Sequence, residues 1–584
     1  MSPEVKHPVR RSTVAGLALL VVASQPVSLQ SQGMSSSGAK ALPPVPLPDG
    51  LKLPRTDFVD VAQAAGLAFS RRVRGPLQPA TYLPETTGTG VAIIDYDRDG
   101  LPDLFFVGSG RSAGDERGSP HRLFRNLGEL RFRDVSTEAG LASTGWGQGV
   151  CAGDFDRDGF TDLFVTQWGH DVLLRNLEGA GFRDEAHERG VSGEARRWST
   201  GCSFLDYDRD GDLDLFVAHY VDFEPEITPL PGDAPQCTWK GAPIPCGPRG
   251  LAAESMSLFA NAGSGRFVEV TSEAGVSTAP RYHGLGVLSS DLDSDGWVDV
   301  FVACDSTANL VFRNLGHGGF EEVGLISAAA YNEDGHEQAG MGVAAADYDG
   351  DGRVDVFQTN FADDTNTIYR NSGGLAFRDR TAQAGLATVT RQVGWGTVFI
   401  DFDRDGWADL FAVNGHVSAS VENAGIDETF AQPRLLFWNR GDGIFHSLAD
   451  AAGPGIGARH SSRGAAASDL DRDGALEIVV VNMGEPPSLL QNQVEARGNW
   501  LAVRAVSKSG ADAVGARVTV DVGSRTLVGE VRSGGSYLSQ SDFQLHFGLG
   551  VAESASVSVR WPSGSTSPSR KVSANEFVIV REHE

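Results

Sequence analysis

Seven short segments of the chain share the pattern D-x-D-x-D-G-x-x-[D/E], beginning at Asp95, Asp154, Asp206, Asp291, Asp347, Asp401 and Asp469. Carboxylates at positions 1, 3 and 5 of a tightly turning backbone point to one centre. The glycine at position 6 permits the turn, position 7 offers its carbonyl, and position 9 closes the site. The ligand candidates are Asp95, Asp97, Asp99 and Asp103 in the first loop, and Asp154, Asp156, Asp158 and Asp162 in the second. Asp206, Asp208, Asp210 and Asp214 follow in the third, with Asp291, Asp293, Asp295 and Asp299 in the fourth. The last three loops supply Asp347, Asp349, Asp351 and Asp355, then Asp401, Asp403, Asp405 and Asp409, then Asp469, Asp471, Asp473 and Glu477. An all-oxygen donor set with neither imidazole nor thiolate selects a hard cation. Calcium, up to seven ions, is the expected occupant, and magnesium is the weaker alternative. An EF-hand would need a glutamate at position 12 and flanking helices, whereas β-type residues follow position 9 here.

Charge points the same way. The chain carries 76 acidic and 49 basic side chains, a formal net charge of −27. Without the 28 loop carboxylates, 48 acids would face the 49 bases, so nearly all the excess charge sits in the loops. Four carboxylates around one point repel strongly unless neutralised. Arginine at position 4 (Arg98, Arg157, Arg209, Arg404, Arg472) either softens this repulsion or lies solvated on the surface. Strong acidity also argues against nucleic-acid and anionic-membrane partners.

The elements that position the loops repeat with them. Start-to-start intervals of 59, 52, 85, 56, 54 and 68 residues suit a four-stranded unit, with extra material in the third and sixth. A Gly-containing apolar strand precedes each loop (GWGQGVCAGD, GWGTVFID) and a second follows it (DLFFV, DVFQT). A third ends in a recurring Asn (LFRNLG, LLRNLE, LFANAG) and a fourth starts at a recurring Phe (FRDVSTEAGL, FVEVTSEAGV). Four short strands with Gly and Asn turns form an antiparallel meander, and seven meanders set radially form a propeller. Phe58–Val61 matches a fourth strand without its first three, while the last repeat stops after LLQNQ. The N-terminal segment is therefore expected to complete the blade whose loop starts at Asp469. The fold class is all-β, a seven-bladed β-propeller (56–493) followed by a small all-β domain (498–584).

These repeats resemble the FG-GAP/VCBS repeats of calcium-binding propellers, the family that includes the integrin α-chain head. The tail, with NWLAVRAV, DAVGARVTV, VRSGGSYLSQSDFQLHFGLG and VSVRWPSG, is similar to the ASPIC/UnbV domain. The insertion CTWKGAPIPCGPRGL also matches a stretch seen in the group that joins the two, whose bacterial branch this chain resembles. Within the tail, the turn Arg532–Ser533–Gly534–Gly535–Ser536 reads as a plain hairpin connection before a contact site.

Because the Asp loops all join strands one and two, they share one face. The two insertions, near 219–256 and 412–434, fall on the other, and variable loops are where recognition concentrates. That face is expected to carry Trp168, His170, His219, Tyr220, Asp305, Asn360, Asp363, Asp364, His416 and Asn482. Trp146, Trp198, His283, His336, Trp395 and His460 stand just before the inner strands. Such a ring either caps turns and fills gaps between blades or holds a ligand or second metal in a central channel. No nucleophile elbow, phosphate loop, HExxH or paired-Cys zinc pattern occurs. The functional expectation is a monomeric recognition or adhesion module binding an unknown protein or glycan on the face opposite the loops. The alternative is a carbohydrate lyase or isomerase with a channel metal on His283 or His416.

The ends and the cysteines place the chain outside the cytoplasm. Lys6, Arg10 and Arg11 precede an apolar run from Val14 to Ala23, read as a signal peptide over residues 1–24. That run covers about half of the roughly 20 residues needed to span a bilayer, so no membrane span is expected. Arg10–Arg11 also offers a twin-arginine reading, poorly supported by Ser12-Thr13-Val14. A Pro- and Ser-rich linker is expected over 25–55. Cys237 and Cys246 are expected to bridge, whereas Cys151, Cys202 and Cys304, in apolar strand contexts, read as buried free thiols.

Overall fold

A computed structural model describes residues 38–69, 80–109, 119–141, 145–494 and 498–583, together with Met1. The expected leader, the Arg10–Arg11 pair and the start of the linker lie outside the described residues. Residues 38–55 run without helix or strand along the surface of the repeats. Their Ala39 and Leu42 amides donate to the carbonyls of Asp363 and Ala387, and Leu47 and Leu53 pack on the core.

The repeats fold into seven four-stranded antiparallel sheets. The first consists of Val91–Ile94, Asp103–Phe106, Arg122–Asn126 and Phe132–Asp134, and the others follow the same plan. Their first strands are Val91–Ile94, Trp146–Gly153, Ser199–Leu205, Gly284–Ser290, Gly340–Ala346, Gly394–Ile400 and Ser462–Ser468. Each packs against the next, and the last returns to the first, so they line a closed ring. Phe58–Asp60 pairs antiparallel with Ser488–Asn492, with Phe58 opposite Asn492, which supplies the missing fourth strand of the last sheet.

Two sequence features make the ring close. Glycines in the first strands allow neighbouring backbones to meet: a Cβ on Gly201 would stand 2.3 Å from the Leu285 carbonyl, and one on Gly342 would stand 2.1 Å from that of Trp395. The recurring Asn of the third strand clasps adjacent blades. Asn176 Nδ2 donates to the Tyr96 carbonyl of the preceding blade at 2.9 Å and to Thr161 O of its own loop at 3.0 Å. Asn261, Asn314, Asn371, Asn439 and Asn492 reach the preceding loop in the same way. Asn126 closes the cycle on Leu470 O at 2.9 Å, joining the first blade to the last.

The cysteines correct one expectation. Cys151 and Cys202 are bridged, and Cys237–Cys246 is a second disulfide. The first two sit on adjacent inner strands with Cα atoms 5.8 Å apart, a normal disulfide separation that reading each strand alone could not reveal. Cys304 stays free and buried. Non-reducing peptide mapping should therefore recover both bridged pairs, with Cys304 labelled by thiol reagents only after unfolding. The 51-residue separation of the first bridge makes its loss cost about 4 kcal/mol by loop-closure entropy.

The C-terminal domain is all-β. Asn499–Val506 lies between Leu545–Gly550 and, in parallel, Glu576–Arg581. A second sheet orders Thr526–Glu530, Arg517–Asp521, Ser554–Arg560 and Arg570–Ser573. The segment expected to be a plain hairpin connection instead enters the ring and touches the inner strand of every blade. The Gln540 amide donates to Val91 O and the Ile93 amide to Gln540 O, while the Val150 amide donates to Leu538 O. Ser203 Oγ donates to Ser533 O, Gly534 bridges to Leu288, and the Val343 amide donates to Ser536 O. The Thr397 and Ala467 amides donate to Ser536 Oγ and Ser541 Oγ. Small and polar residues here satisfy strand backbone groups that face an otherwise open axis, a role that local turn chemistry does not announce.

Candidate metal centres

Each Asp loop is built by the same bonds. The position-6 glycines take φ between 83° and 100°, the left-handed region that glycine enters freely, and direct the amide back to the position-1 carboxylate, as Gly352 does to Asp347 at 2.9 Å. The position-9 carboxylate, expected only as a ligand, is also a structural clamp. Asp162 accepts the Asn176 amide at 2.7 Å on one oxygen and the Phe155 amide at 3.2 Å on the other, tying the third strand to the loop. Asp103, Asp214, Asp299, Asp355 and Asp409 repeat this, and Glu477 accepts from Leu470.

The structure brings the candidate oxygens together. In the loops at Asp95, Asp206, Asp291 and Asp347, oxygens of positions 1, 3 and 5 lie within 4.8 Å of one another. In the second loop Asp154, Asp156 and Asp162 make the group, with Asp158 outside it, and two further acidic groups of this kind occur among the described residues. Burial, then the neighbouring carboxylates, push Asp154, Asp206 and Asp469 up to about 7 and Asp347 to about 6. Burial drives the clamping Asp103 and Asp214 to about 9. Buried carboxylate oxygens at Asp206 (Oδ1), Asp469 (Oδ1) and Asp471 (Oδ1) have no hydrogen-bond partner. Crowded carboxylates with elevated proton affinity and unused inward lone pairs are the chemistry of an oxygen-ligated cation site.

Arginine neutralises some loops, but not from the expected place. The position-4 side chains turn to neighbours: Arg157 reaches Asp212 at 3.2 Å, Arg98 reaches Gly510 O at 3.3 Å, and Arg472 lies over the Phe577 ring. Third-strand arginines do the pairing. Arg125 meets Asp97 at 2.8 Å and Asp99 at 3.0 Å, and Arg175 bridges Asp156 and Asp158. Arg370 bridges Asp349 and Asp351, and Arg313 stands 3.4 Å from Asp293. The recurring Arg before the Asn was the available sequence signal.

The C-terminal domain covers this face. Arg504 pairs with Asp95 at 3.1 Å and Arg560 with Asp291; Arg517 and Arg525 donate to the carbonyls of Gly352 and Asp405; His546 contacts Gly474 O at 2.9 Å. Ser509 approaches Gly159, and Gly564 approaches Arg209 of the third loop. A cavity of about 300 Å³ remains under the domain, reached by Asp347, Asp401, Asp469, Arg525 and Glu530.

The ring of polar and aromatic candidates does not surround an open channel. Tyr537, fully buried, packs edge-on against Trp395 at 4.8 Å, whose Nε1 donates to Gly415 O. Trp198 meets Tyr220 edge-on, and the Tyr220 hydroxyl donates to Asp305. His219 sits between Ser199 and Ser257, His283 faces the Asp305 and Leu251 carbonyls, and His170 faces Gly193 O. Trp146 meets Trp168 edge-on, Asn360 and Asn482 hold their own turns, Asp364 accepts from Gln338, and His460 faces Glu485. The His336 amide bonds to Asn332. These side chains cap turns and fill the axis.

The two insertions meet on the uncovered face. Trp239 Nε1 and Lys240 Nζ, from the disulfide-stapled segment, donate to Glu428 of the other insertion at 2.6 and 2.7 Å; Lys240 also reaches Asp363 at 2.8 Å. His416 Nε2 lies 3.5 Å from the same carboxylate, and its Nδ1 accepts the Ser418 amide. Burial would raise Glu428, but hydrogen bonds from His416, Lys240 and Trp239 hold it down at about 2.

Comparison with known proteins agrees with this architecture. FG-GAP-like repeats match residues 95–165, 154–217, 291–358 and 351–412, and the ASPIC and UnbV family matches 506–584. Cartilage acidic protein 1 from Homo sapiens is 26% identical over 85% of this chain and 72% of its own length. The Mus musculus protein is 26% identical over 94% and 81%. Among solved structures, an Agrocybe aegerita lectin recognising non-reducing terminal N-acetylglucosamine aligns over 69% of this chain and 94% of its own, with 16% identity and a TM-score of 0.35. The chain is an FG-GAP-repeat protein with a C-terminal ASPIC and UnbV domain, homologous to cartilage acidic protein 1.

Proposed function

We propose that this chain is an exported, calcium-rigidified recognition module that captures a protein or glycan through the face bearing the two insertions. The observation that carries the reading is the placement of the C-terminal domain. It lies over the Asp loops and fills the axis, leaving the insertion face as the broad surface free for a partner. Calcium, held by the carboxylates at positions 1, 3 and 5 with position 9 behind them, would supply the positive charge that lets these loops keep their shape. The two disulfides fit an oxidising compartment, and no helix among the described residues is long and apolar enough to cross a membrane.

The name of cartilage acidic protein 1 is in keeping with an extracellular setting. Against the enzyme reading, His283 faces the Asp305 and Leu251 carbonyls while His416 lies between Glu428 and the Ser418 amide, contacts that account for both imidazoles without a metal. The exposed Ile227 and Leu230 place apolar contact area on the first insertion. Binding of the purified chain to arrays of glycans and extracellular matrix proteins, with calcium and with EGTA, tests the proposal. Calcium-dependent capture weakened at least tenfold by Ile227→Asp with Leu230→Asp is expected. Capture unaffected by both calcium removal and these substitutions would overturn it.

A further inference from the structure

The residue preceding the recurring third-strand Asn divides the loops. It is arginine in four blades (Arg125, Arg175, Arg313, Arg370) but Ala260 in the third, Trp438 in the sixth and Gln491 in the last. The sixth loop instead receives Arg525 of the C-terminal domain, whose guanidinium donates to the Asp405 carbonyl. Where arginine is present, its guanidinium lies on the carboxylates at positions 3 and 5, or on position 3 alone for Arg313. The first and fourth loops receive a second guanidinium on the position-1 carboxylate, from Arg504 and Arg560 of the C-terminal domain.

In the third and seventh loops, no such pairing occurs among the described residues. The guanidiniums at hand stand on other groups: Arg157 lies 3.2 Å from Asp212 at position 7 of the third loop, and Arg404 lies 3.5 Å from the Asp473 carbonyl and 3.9 Å from its exposed carboxylate. The orphaned inward oxygens at Asp206, Asp469 and Asp471 belong to these two loops, and Asp469 is only 2% exposed. Asp291 keeps one oxygen unpartnered while Arg560 holds the other.

Resting on the calcium reading above, we propose that the loops bind calcium in two affinity classes set by these resident arginines. The loops at Asp206 and Asp469 bind tightly, and those at Asp95, Asp154, Asp291, Asp347 and Asp401, each with a guanidinium on it, bind weakly. The physical reason is charge count. Affinity in an oxygen-ligated loop rises with the net negative charge facing the ion, and a guanidinium on two of the ligands removes one unit and occupies lone pairs that the ion needs. The same guanidinium holds the loop closed when calcium is low, so those blades keep their shape while the two arginine-free loops lose theirs. Falling calcium would therefore loosen the third and last blades first. The third carries the disulfide-stapled insertion, and the last is the closure of the ring.

Titration of the calcium-stripped full chain by equilibrium dialysis with radioactive calcium tests this. Two tight sites separated by at least tenfold in Kd from a weaker group of five are expected. Arg175→Gln and Arg370→Gln should each move one site from the weak group to the tight one, and Ala260→Arg should move one the other way. A single class of sites, or classes that none of the three substitutions changes, overturns the proposal while leaving calcium binding intact. No bound calcium in the wild type overturns the calcium reading itself.

Discussion

Replacing Tyr537 by alanine is expected to lower the stability of the chain by roughly 3–5 kcal/mol, whereas Tyr537→Phe should leave it unchanged or slightly raised. The ring of Tyr537 is fully buried in the cluster that runs from Trp198, Tyr220 and Phe223 to Trp239 and Phe361. It is thus the apolar pin of a segment whose backbone and hydroxyls bond to the surrounding inner strands. Truncation leaves a cavity on the axis, where the closed ring of strands limits relaxation. The hydroxyl is buried without a hydrogen-bond partner, so removing it costs nothing in lost bonding and relieves a desolvated group. Denaturation midpoints of the three proteins check this. If Tyr537→Ala unfolds as the wild type does, the C-terminal segment does not occupy the axis.

Stripping calcium should have the second large effect. A loop occupied at 100 times its Kd gains about 2.7 kcal/mol, so the two arginine-free loops alone would contribute roughly 5 kcal/mol. Without calcium, stability should also depend on pH in a definite direction. Asp154, Asp206 and Asp469 near 7, and Asp347 near 6, bind protons more tightly folded than unfolded, where carboxyls titrate near 3.9. Their protonation favours the folded state, an effect complete below about pH 4 and lost as pH rises through about 7. The stripped protein should therefore gain stability from pH 8 down to pH 5, and calcium should flatten that slope. Thermal unfolding across this range, with calcium and with EGTA, measures it; identical curves under both conditions would contradict the assignment.

The legible part of the molecule was its repetition. Position 1 and position 6 recur because loop closure needs them, and the strand order follows from Gly and Asn turns around them. The truncated last repeat and the orphan Phe58–Asp60 strand even fixed how the ring closes, because a half-filled sheet must find its partner. What the sequence hid was relational. Cys151 and Cys202 meet because two inner strands lie side by side. The Ser533–Ser541 segment reads locally as a glycine turn, and its function as an axial plug exists only against seven strands from elsewhere in the chain. The third-strand arginines were visible as letters, but their pairing depends on the curl of each blade bringing that strand beneath its loop.

The claim that recognition belongs to the insertion face is tested most directly by hydrogen–deuterium exchange on the chain with a bound partner from the arrays. Protection is expected within 225–250 and 419–431, with the Asp loops and 554–573 unchanged. Protection confined to the C-terminal domain around Val551 and Arg570–Ser573, with both insertions exchanging as in the free chain, would contradict it.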